Sequence, residues 1–393
     1  MRIACSIAFL APLAALAQTW TQLPDFPGTA RDDAASFTID GVIYVGTGME
    51  VGWGLTNDWY AFDTQSGIWS PIAPLPATPR QYCTGFTLEG NGYLFGGVDA
   101  NGALNELWCY YPDLNQWQER APLPGEGRYA CVATGDGGGT GYIATGMLAS
   151  GVPTNEHWLY TASVDNWFSA QPVPGPARHR AASFTNNAFV IAGGADANGV
   201  ALSDVWQYEI IFPTGDWVAG PDLPAPRIDA KGVSGWNVIV GGASDASTFH
   251  ADAWMLTGGS WTSLPSFAGG NRRGPASAGI SGADGGVFLG TGLGDLQRYR
   301  DWWKLALPVG IAESSTGAFR VFPNPARDMI TIQTPNPVVA GRCEIIDGTG
   351  RTVLTLSIKN GDPISVDHLS PGRYEVVMRS PDVVWRAPLI KLP

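Results

Sequence analysis

The chain alternates short apolar runs with turn residues from end to end, and no stretch sustains the 3.6-residue periodicity of a helix. Six runs share one form, an apolar segment ending in glycines: "VIYVGTG", "GYLFGG", "YIATG", "FVIAGG", "NVIVGG" and "VFLGTG". About ten residues after each comes an acidic residue followed by aromatic or apolar positions. These acids are Asp58, Glu106, Glu156, Asp204, Asp252 and Asp301, spaced by 48, 50, 48, 48 and 49 residues. A third mark joins Trp to Arg through a proline-rich link: Trp69 to Arg80, Trp117 to Arg128, Trp167 to Arg178, Trp217 to Arg227 and Trp261 to Arg272. Self-similarity at a fixed period near 49 residues is the signature of a repeat architecture.

Each unit holds four such runs. In the second they are "QYCTGFTLE", "GYLFGG", "ELWCYY" and "QWQERAP", enough for one small antiparallel sheet. A lone sheet of this size is marginal because both faces need cover. Six arranged radially cover one another, with the aromatic at the Trp108 position filling the gap between neighbours. The series begins with its last piece: "TWTQLP" at Trp20 leads to Arg31, while no such piece follows "DWWKLAL" near residue 305. The spacing therefore predicts that Trp20 supplies the outer strand of the sheet built by the far end of the repeat. Six complete blades follow, with no open edge.

The glycine pairs, the "NELWCYYPDLNQW" stretch and the "APLP…R" link resemble those of the kelch-repeat family over about residues 19 to 307. The resemblance implies a six-bladed β-propeller. The third copy, with Thr145-Gly146, and the sixth, with Gly290-Thr291-Gly292, depart from the double glycine. Beyond residue 307 the pattern stops, and "PVGIAESSTGA" reads as a linker. Alternating strands follow, with Pro323-Asn324-Pro325, Gly350-Arg351 and Leu369-Ser370-Pro371-Gly372-Arg373-Tyr374 as landmarks. These resemble the C-terminal sorting domain of the type IX secretion system, which implies recognition by that machinery. The final "KLP" departs from the usual basic ending. The expected fold class is all-β: a six-bladed kelch-type propeller followed by a small Ig-like β-sandwich. The expected domains are a signal peptide at 1–17, the propeller at 18–308, a linker at 309–319 and the sorting domain at 320–393.

Composition sharpens this picture. Charged residues make up 15% of the 393, with Gly at 51, Pro at 30 and Trp at 16, the usage of many short strands joined by turns. "MRIACSIAFLAPLAALA" has one Arg, an apolar run and the small-x-small ending of a cleaved secretory signal. No later run is long and apolar enough to predict a membrane-spanning helix. The expected location is secreted or attached to the outer surface. Four cysteines remain after the leader, Cys83, Cys109, Cys131 and Cys343, too scattered for a disulfide framework. Residues 18–319 hold 28 acidic against 13 basic side chains and the tail 7 against 9. So acidic a propeller excludes nucleic-acid binding through a general basic surface. The four His show no metal-ligand spacing, and "GDGGGTG" lacks the Lys of a phosphate loop. No cofactor and no metal are expected, and a monomer is.

Against the acidic background the arginines cluster at the link position: Arg31, Arg80, Arg128, Arg178, Arg180, Arg227, Arg272 and Arg273. That position starts the innermost strand, so the side chains are expected around one mouth of the central channel. There they would favour an anion such as a carboxylate. The competing reading is that a residue repeated in every blade is a packing signature, each Arg pairing with an acid or carbonyl of the adjacent blade. Two positions on stand Asp33, Tyr82, Ala130, Arg180 and Asp229, which vary between blades, and His179 lies between two arginines. The candidate ligand-binding set is Arg31, Asp33, Arg80, Tyr82, Arg128, Arg178, His179, Arg180, Arg227, Asp229 and Arg273. Loops after the glycines would add Trp53, Asp99, Asn101, Met147, Asp196, Asn198, Asp245 and Asp295. No catalytic residue is assigned. The leading expectation is a surface binding module for a glycan or protein. The alternative is a carbohydrate-active enzyme resembling the six-bladed kelch N-acetylneuraminate mutarotases, which need no metal. A copper radical oxidase of the galactose oxidase kind lacks the histidines and a seventh blade.

Overall fold

The computed structural model describes residues 18–136, 139–185, 188–209, 215–281, 285–294, 297–307, 320–324, 326–333, 341–347, 351–358, 362–379 and 384–392. The expected signal peptide and the 309–319 linker lie outside them. Among the described residues of the repeat there are six four-stranded antiparallel sheets. The second, for example, runs Thr84–Leu88, Asn91–Phe95, Leu107–Tyr111 and Gln116–Arg120 from axis to rim. Its second strand is buried at four of five positions, which accounts for a continuous apolar run between two covered faces. The innermost strands meet one another in cyclic order and enclose a channel.

The sixth sheet decides closure. It is ordered Ala276–Ile280, Gly286–Gly290, Trp302–Leu305 and then Trp20–Leu23. Trp20 pairs with Leu305 and Leu23 with Trp302. The leading tryptophan strand thus covers an edge that would otherwise present unpaired amides.

Three rings of six hydrogen bonds explain the repeated residues. At the rim, every link Trp donates its indole N–H to a carbonyl four residues after the link Trp of the preceding blade. The pairs are Trp69 to Pro24, Trp117 to Ala73, Trp167 to Ala121, Trp217 to Gln171, Trp261 to Pro221 and Trp20 to Pro265, at 2.7–3.0 Å. Further in, Gly48, Gly97, Gly146, Gly194, Gly242 and Gly292 donate their N–H groups to the carbonyls of Arg80, Arg128, Arg178, Arg227, Arg272 and Arg31, at 2.7–3.0 Å. These glycines sit at φ between 90° and 110°, which disfavours any side chain. At Gly97 a Cβ would also strike the Cys83 sulfur and the Gln81 carbonyl. The third ring surrounds the channel mouth and is described below.

One core position carries a titratable group. His157 is buried between the third and fourth blades, edge-on to Tyr208 at 4.6 Å and Trp217 at 5.3 Å. Its Nδ1 lies 3.3 Å from the Gln171 carbonyl, so Nδ1 carries the proton. Nε2 has no partner in the protein. Burial holds its pKa down at about 4. A base whose folded pKa is depressed contributes stability that is complete above its unfolded value near 6.5 and is lost as pH falls toward 4. The loss amounts to about 1.4 kcal/mol per pH unit across that window. We expect His157→Leu, the residue the second blade uses at Leu107, to flatten the acid limb of a urea-denaturation series between pH 7 and pH 4.5. Parallel limbs for the two proteins would remove His157 as the cause.

The tail forms two sheets, one of Arg320–Phe322, Met329–Gln333 and Pro363–Ser365, the other of Thr352–Ile358, Gly341–Asp347, Gly372–Arg379 and Val384–Lys391. Ile330, Ile332, Cys343, Ile345, Ile364, Val376 and Leu389 fill the space between them. Among the described residues the four cysteines, Cys83, Cys109, Cys131 and Cys343, are buried and free. Among the described residues no helix is long and apolar enough to cross a membrane.

Candidate functional site

The six link arginines do not line the mouth. Arg31, Arg80, Arg128, Arg178, Arg227 and Arg272 are 0–4% exposed, and each pairs with the acid that opens the third strand of its own blade. The pairs are Arg31–Asp58, Arg80–Glu106, Arg128–Glu156, Arg178–Asp204, Arg227–Asp252 and Arg272–Asp301. Arg178 shows the full pattern: Nη1 and Nη2 bind the two Asp204 oxygens at 2.7 and 2.6 Å, Nη1 also reaches the Gly193 carbonyl, and Nε reaches Pro176. A planar fork of five donors suits this arrangement where an ammonium does not. The expected anion ring of Arg31, Arg80, Arg128, Arg178 and Arg227 is therefore corrected, because their side chains run into the blades. The partner lies in the same blade, where an adjacent one was expected.

What surrounds the mouth is the position two residues later. The backbone N–H of Asp33 donates to Gly274, Gly274 to Asp229, Asp229 to Arg180, Arg180 to Ala130, Ala130 to Tyr82 and Tyr82 to Asp33, at 2.8–3.2 Å. One residue from each blade thus closes a cycle about the axis. All six sit in the left-handed region at φ between 51° and 58°, which Asp33 and Asp229 tolerate better than Tyr82, Ala130 and Arg180. At the sixth, glycine leaves room for the Asp33 carboxylate, which a Cβ on Gly274 would displace.

Side chains from this cycle and its neighbours form one network. The Tyr82 hydroxyl accepts from Arg180 Nη2 at 2.9 Å and from Arg273 Nη1 at 3.4 Å. The Arg180 guanidinium also stacks on the Tyr82 ring, 5.0 Å from its centre. Arg273 lies 3.3 Å from Asp229 and 3.6 Å from both Asp32 and Asp33. Asp32 in turn binds Arg298, whose guanidinium rests 4.9 Å from the centre of the Trp53 ring. Trp53 is 75% exposed. The arginines Arg180 and Arg273 keep 32% and 20% of their side chains accessible, while Asp33 and Asp229 beneath them are buried.

The electrostatics follow from that crowding. Burial, with Asp32 and Asp229 alongside, raises Asp33 to about 8 despite Arg273 and Lys231. Burial also carries Tyr82 well above its ordinary value, helped by Asp33 and Asp229. Burial works against the charge on Arg180, but Asp229 and Tyr82 outweigh it. His179 is held down by burial and by Arg180; its Nδ1 has no protein partner. The site pairs accessible arginine edges with a carboxyl that exchanges its proton near neutrality, above a channel of about 390 Å³. Small and hydroxyl-bearing residues line that channel, with Lys231 as the only charge among the described lining residues.

Of the sequence-derived candidates, Asp33, Tyr82, Arg180, Asp229 and Arg273 come together, and His179 lies next to them. Trp53 joins through Arg298. Asp99, Asp196 and Asp245 instead cap their own turns by accepting amide hydrogens two to four residues on. Asp295 lies outside the described residues. Asp32, Arg298 and Gly274 were missed. Gly274 could have been found by extending the two-after-Arg register into the sixth blade. Asp32 and Arg298 are 266 positions apart and carry no local signal. Among the described residues no group of His, Cys, Asp and Glu is arranged to hold a metal.

Residues 79–124 match the Kelch motif family model, and residues 320–390 match the Secretion system C-terminal sorting domain. Among solved structures, the chain is similar in fold to that titled "Structure of YjhT", with 16% identity and a TM-score of 0.64 over 73% of this chain and 98% of that one. No curated protein matches the chain. The chain is a kelch-type β-propeller with a C-terminal sorting domain, which marks it for export by the type IX secretion machinery.

Proposed function

We propose that this exported propeller is a surface or secreted binding module whose ligand, a glycan, docks at the mouth of the channel. The observation that carries the reading is the convergence of two partly accessible arginines on the Tyr82 hydroxyl, beside an exposed Trp53 backed by Arg298. An indole face held by a guanidinium on one side offers an apolar platform to the C–H face of a sugar ring on the other. The arginine edges supply donors to its hydroxyl or carboxylate oxygens. Such a site needs no metal. Trp53→Ala is expected to weaken the best ligand found on a glycan array about five- to thirtyfold, since an aromatic contact buried on binding contributes about 1–2 kcal/mol. Equal binding by the variant and the parent would overturn the mouth as the site.

The enzyme reading has one observation in its favour, the Asp33 carboxyl poised near pH 8 beside Arg273 and below Tyr82. A general acid–base with such a pKa is suited to opening and closing a sugar ring without metal. Mutarotation of free N-acetylneuraminate, followed by proton NMR, tests it directly; a rate equal to the uncatalysed background sinks this reading and leaves the binding module intact.

A further inference from the structure

The central channel has a closed end and an open one. Tyr82, Arg180 and Arg273 belong to the second, fourth and sixth blades, and both guanidiniums reach the same hydroxyl. Alternate members of a six-membered ring can share one atom only near its axis, so this contact plugs the channel at the mouth. Asp33 and Asp229, just beneath the plug, are 4% and 7% exposed. At the other end Ser234 is exposed, and Gly135 and Gly279 are half-buried. The channel is therefore a well of about 390 Å³ that opens on the face opposite the mouth.

Lys231 stands toward the closed end, three residues inward from Ser234, or about 10 Å at the rise of a strand. Four positions after the link arginine, the other blades hold Ala35, Thr84, Val132, Ala182 and Ala276. A lysine there breaks the packing signature of the repeat, and such departures from a local pattern are expected at functional sites. Lys231 is half-buried, and among the described residues its ammonium has neither a hydrogen bond nor an ion pair. The network at the mouth balances without it, since Asp32, Asp33 and Asp229 already face Arg180, Arg273 and Arg298. Asp33 also keeps its proton near neutrality, which leaves the closed end positive inside an acidic propeller.

The rest of the lining is rich in hydrogen-bonding groups. Ser36, Thr87 and Ser277 donate to carbonyls of neighbouring inner strands, while the hydroxyls of Thr38 and Ser183 have no partner among the described residues. Each inner strand also turns to the axis an edge without a strand partner. Asp40, Glu89 and Asp136 are exposed at turns on the open face. Surface charge is screened over about 8 Å at physiological salt, so Lys231 governs the field deep in the well.

We propose that this well is a second binding site, separate from the mouth and entered from the opposite face, for a small polyhydroxylated anion, a sugar acid or a sugar phosphate, whose charge is met by Lys231. The hydroxyls of the ligand exchange hydrogen bonds with the serines, threonines and strand edges of the wall. A lysine is a point charge with three donors and takes either kind of anion.

The test is isothermal titration calorimetry of the full chain with D-glucuronate, D-glucose 6-phosphate and their neutral counterpart D-glucose. Saturable binding of at least one anion is expected, with D-glucose at least tenfold weaker, and the tighter anion identifies the source. Lys231→Met is expected to weaken that anion tenfold or more and Lys231→Arg to restore most of the loss. Ser183→Leu, which narrows the well without removing a hydrogen bond of the protein, is expected to weaken it similarly and keeps the test open should Lys231→Met fail to fold. Saturable binding of neither anion, glucose binding as tightly as both, or undiminished binding in Lys231→Met or Ser183→Leu overturns the proposal. The mouth reading survives those outcomes, since its ligand is measured with Trp53→Ala.

Discussion

Arg178→Ala is expected to lower the free energy of unfolding by about 3–5 kcal/mol, because it breaks a buried ion pair and leaves one partner behind. The substitution removes the two bonds to Asp204 and those to the Gly193 and Pro176 carbonyls. It also opens a void beneath Trp206, whose indole N–H binds the same Asp204 oxygen as Arg178 Nη2. Asp204 is 30% exposed, so water relieves part of the penalty and the lower end of the range is the better expectation. The comparison that makes this decisive is Arg128→Ala. With one hydrogen bond to lose, it should cost roughly half as much. Guanidinium denaturation of both variants reads the order directly. A cost below about 1 kcal/mol at Arg178, or a larger one at Arg128, would refute the view that these arginines pin the inner strand of each blade to its third strand.

A chain beginning at Pro24 is expected to lose cooperative folding altogether. The deletion removes four ladder pairs, from Trp20 with Leu305 to Leu23 with Trp302. It removes the rim indole bond that joins the sixth blade to the fifth, Trp20 to Pro265, and the edge-on contact of Trp20 with Phe267 at 4.9 Å. It also bares the Trp302–Leu305 edge to strands of other molecules. Total stabilities of domains lie near 5–15 kcal/mol, and burying a tryptophan alone is worth about 3–5 of that. Size-exclusion chromatography should show higher oligomers, and the thermal transition seen by circular dichroism should broaden. A monomer melting within about 4 °C of the full chain, a shift equivalent to no more than about 1 kcal/mol, would mean that the ring does not depend on this closure.

These expectations differ in how far they could be reached from the residues alone. The order of the sixth sheet was legible because an outer-strand fragment at one end and its missing counterpart at the other are both visible in a 49-residue register. The roles of the tryptophans and of the second glycines were legible as repetition but not as mechanism. Trp69 and Pro24 belong to different blades, and only stacking brings an indole N–H to that carbonyl. The side on which each link arginine would fall was misread. Placing it at the start of the inner strand is right, yet the left-handed residue two positions later turns the chain toward the axis, and the arginine points back into its blade.

The sequence by itself determined the period, the number of sheets, the strand that seals them and the change of module beyond residue 307, because each is written in local alternation and spacing that neighbouring residues enforce. Only the tertiary structure decided what meets at the mouth. Arg180 and Arg273 reach the Tyr82 hydroxyl across 98 and 191 residues. Such encounters are fixed by the closing of a ring whose six members contribute one backbone position each, and a charge, a phenol or a bare hydrogen at that position is compatible with the same local pattern.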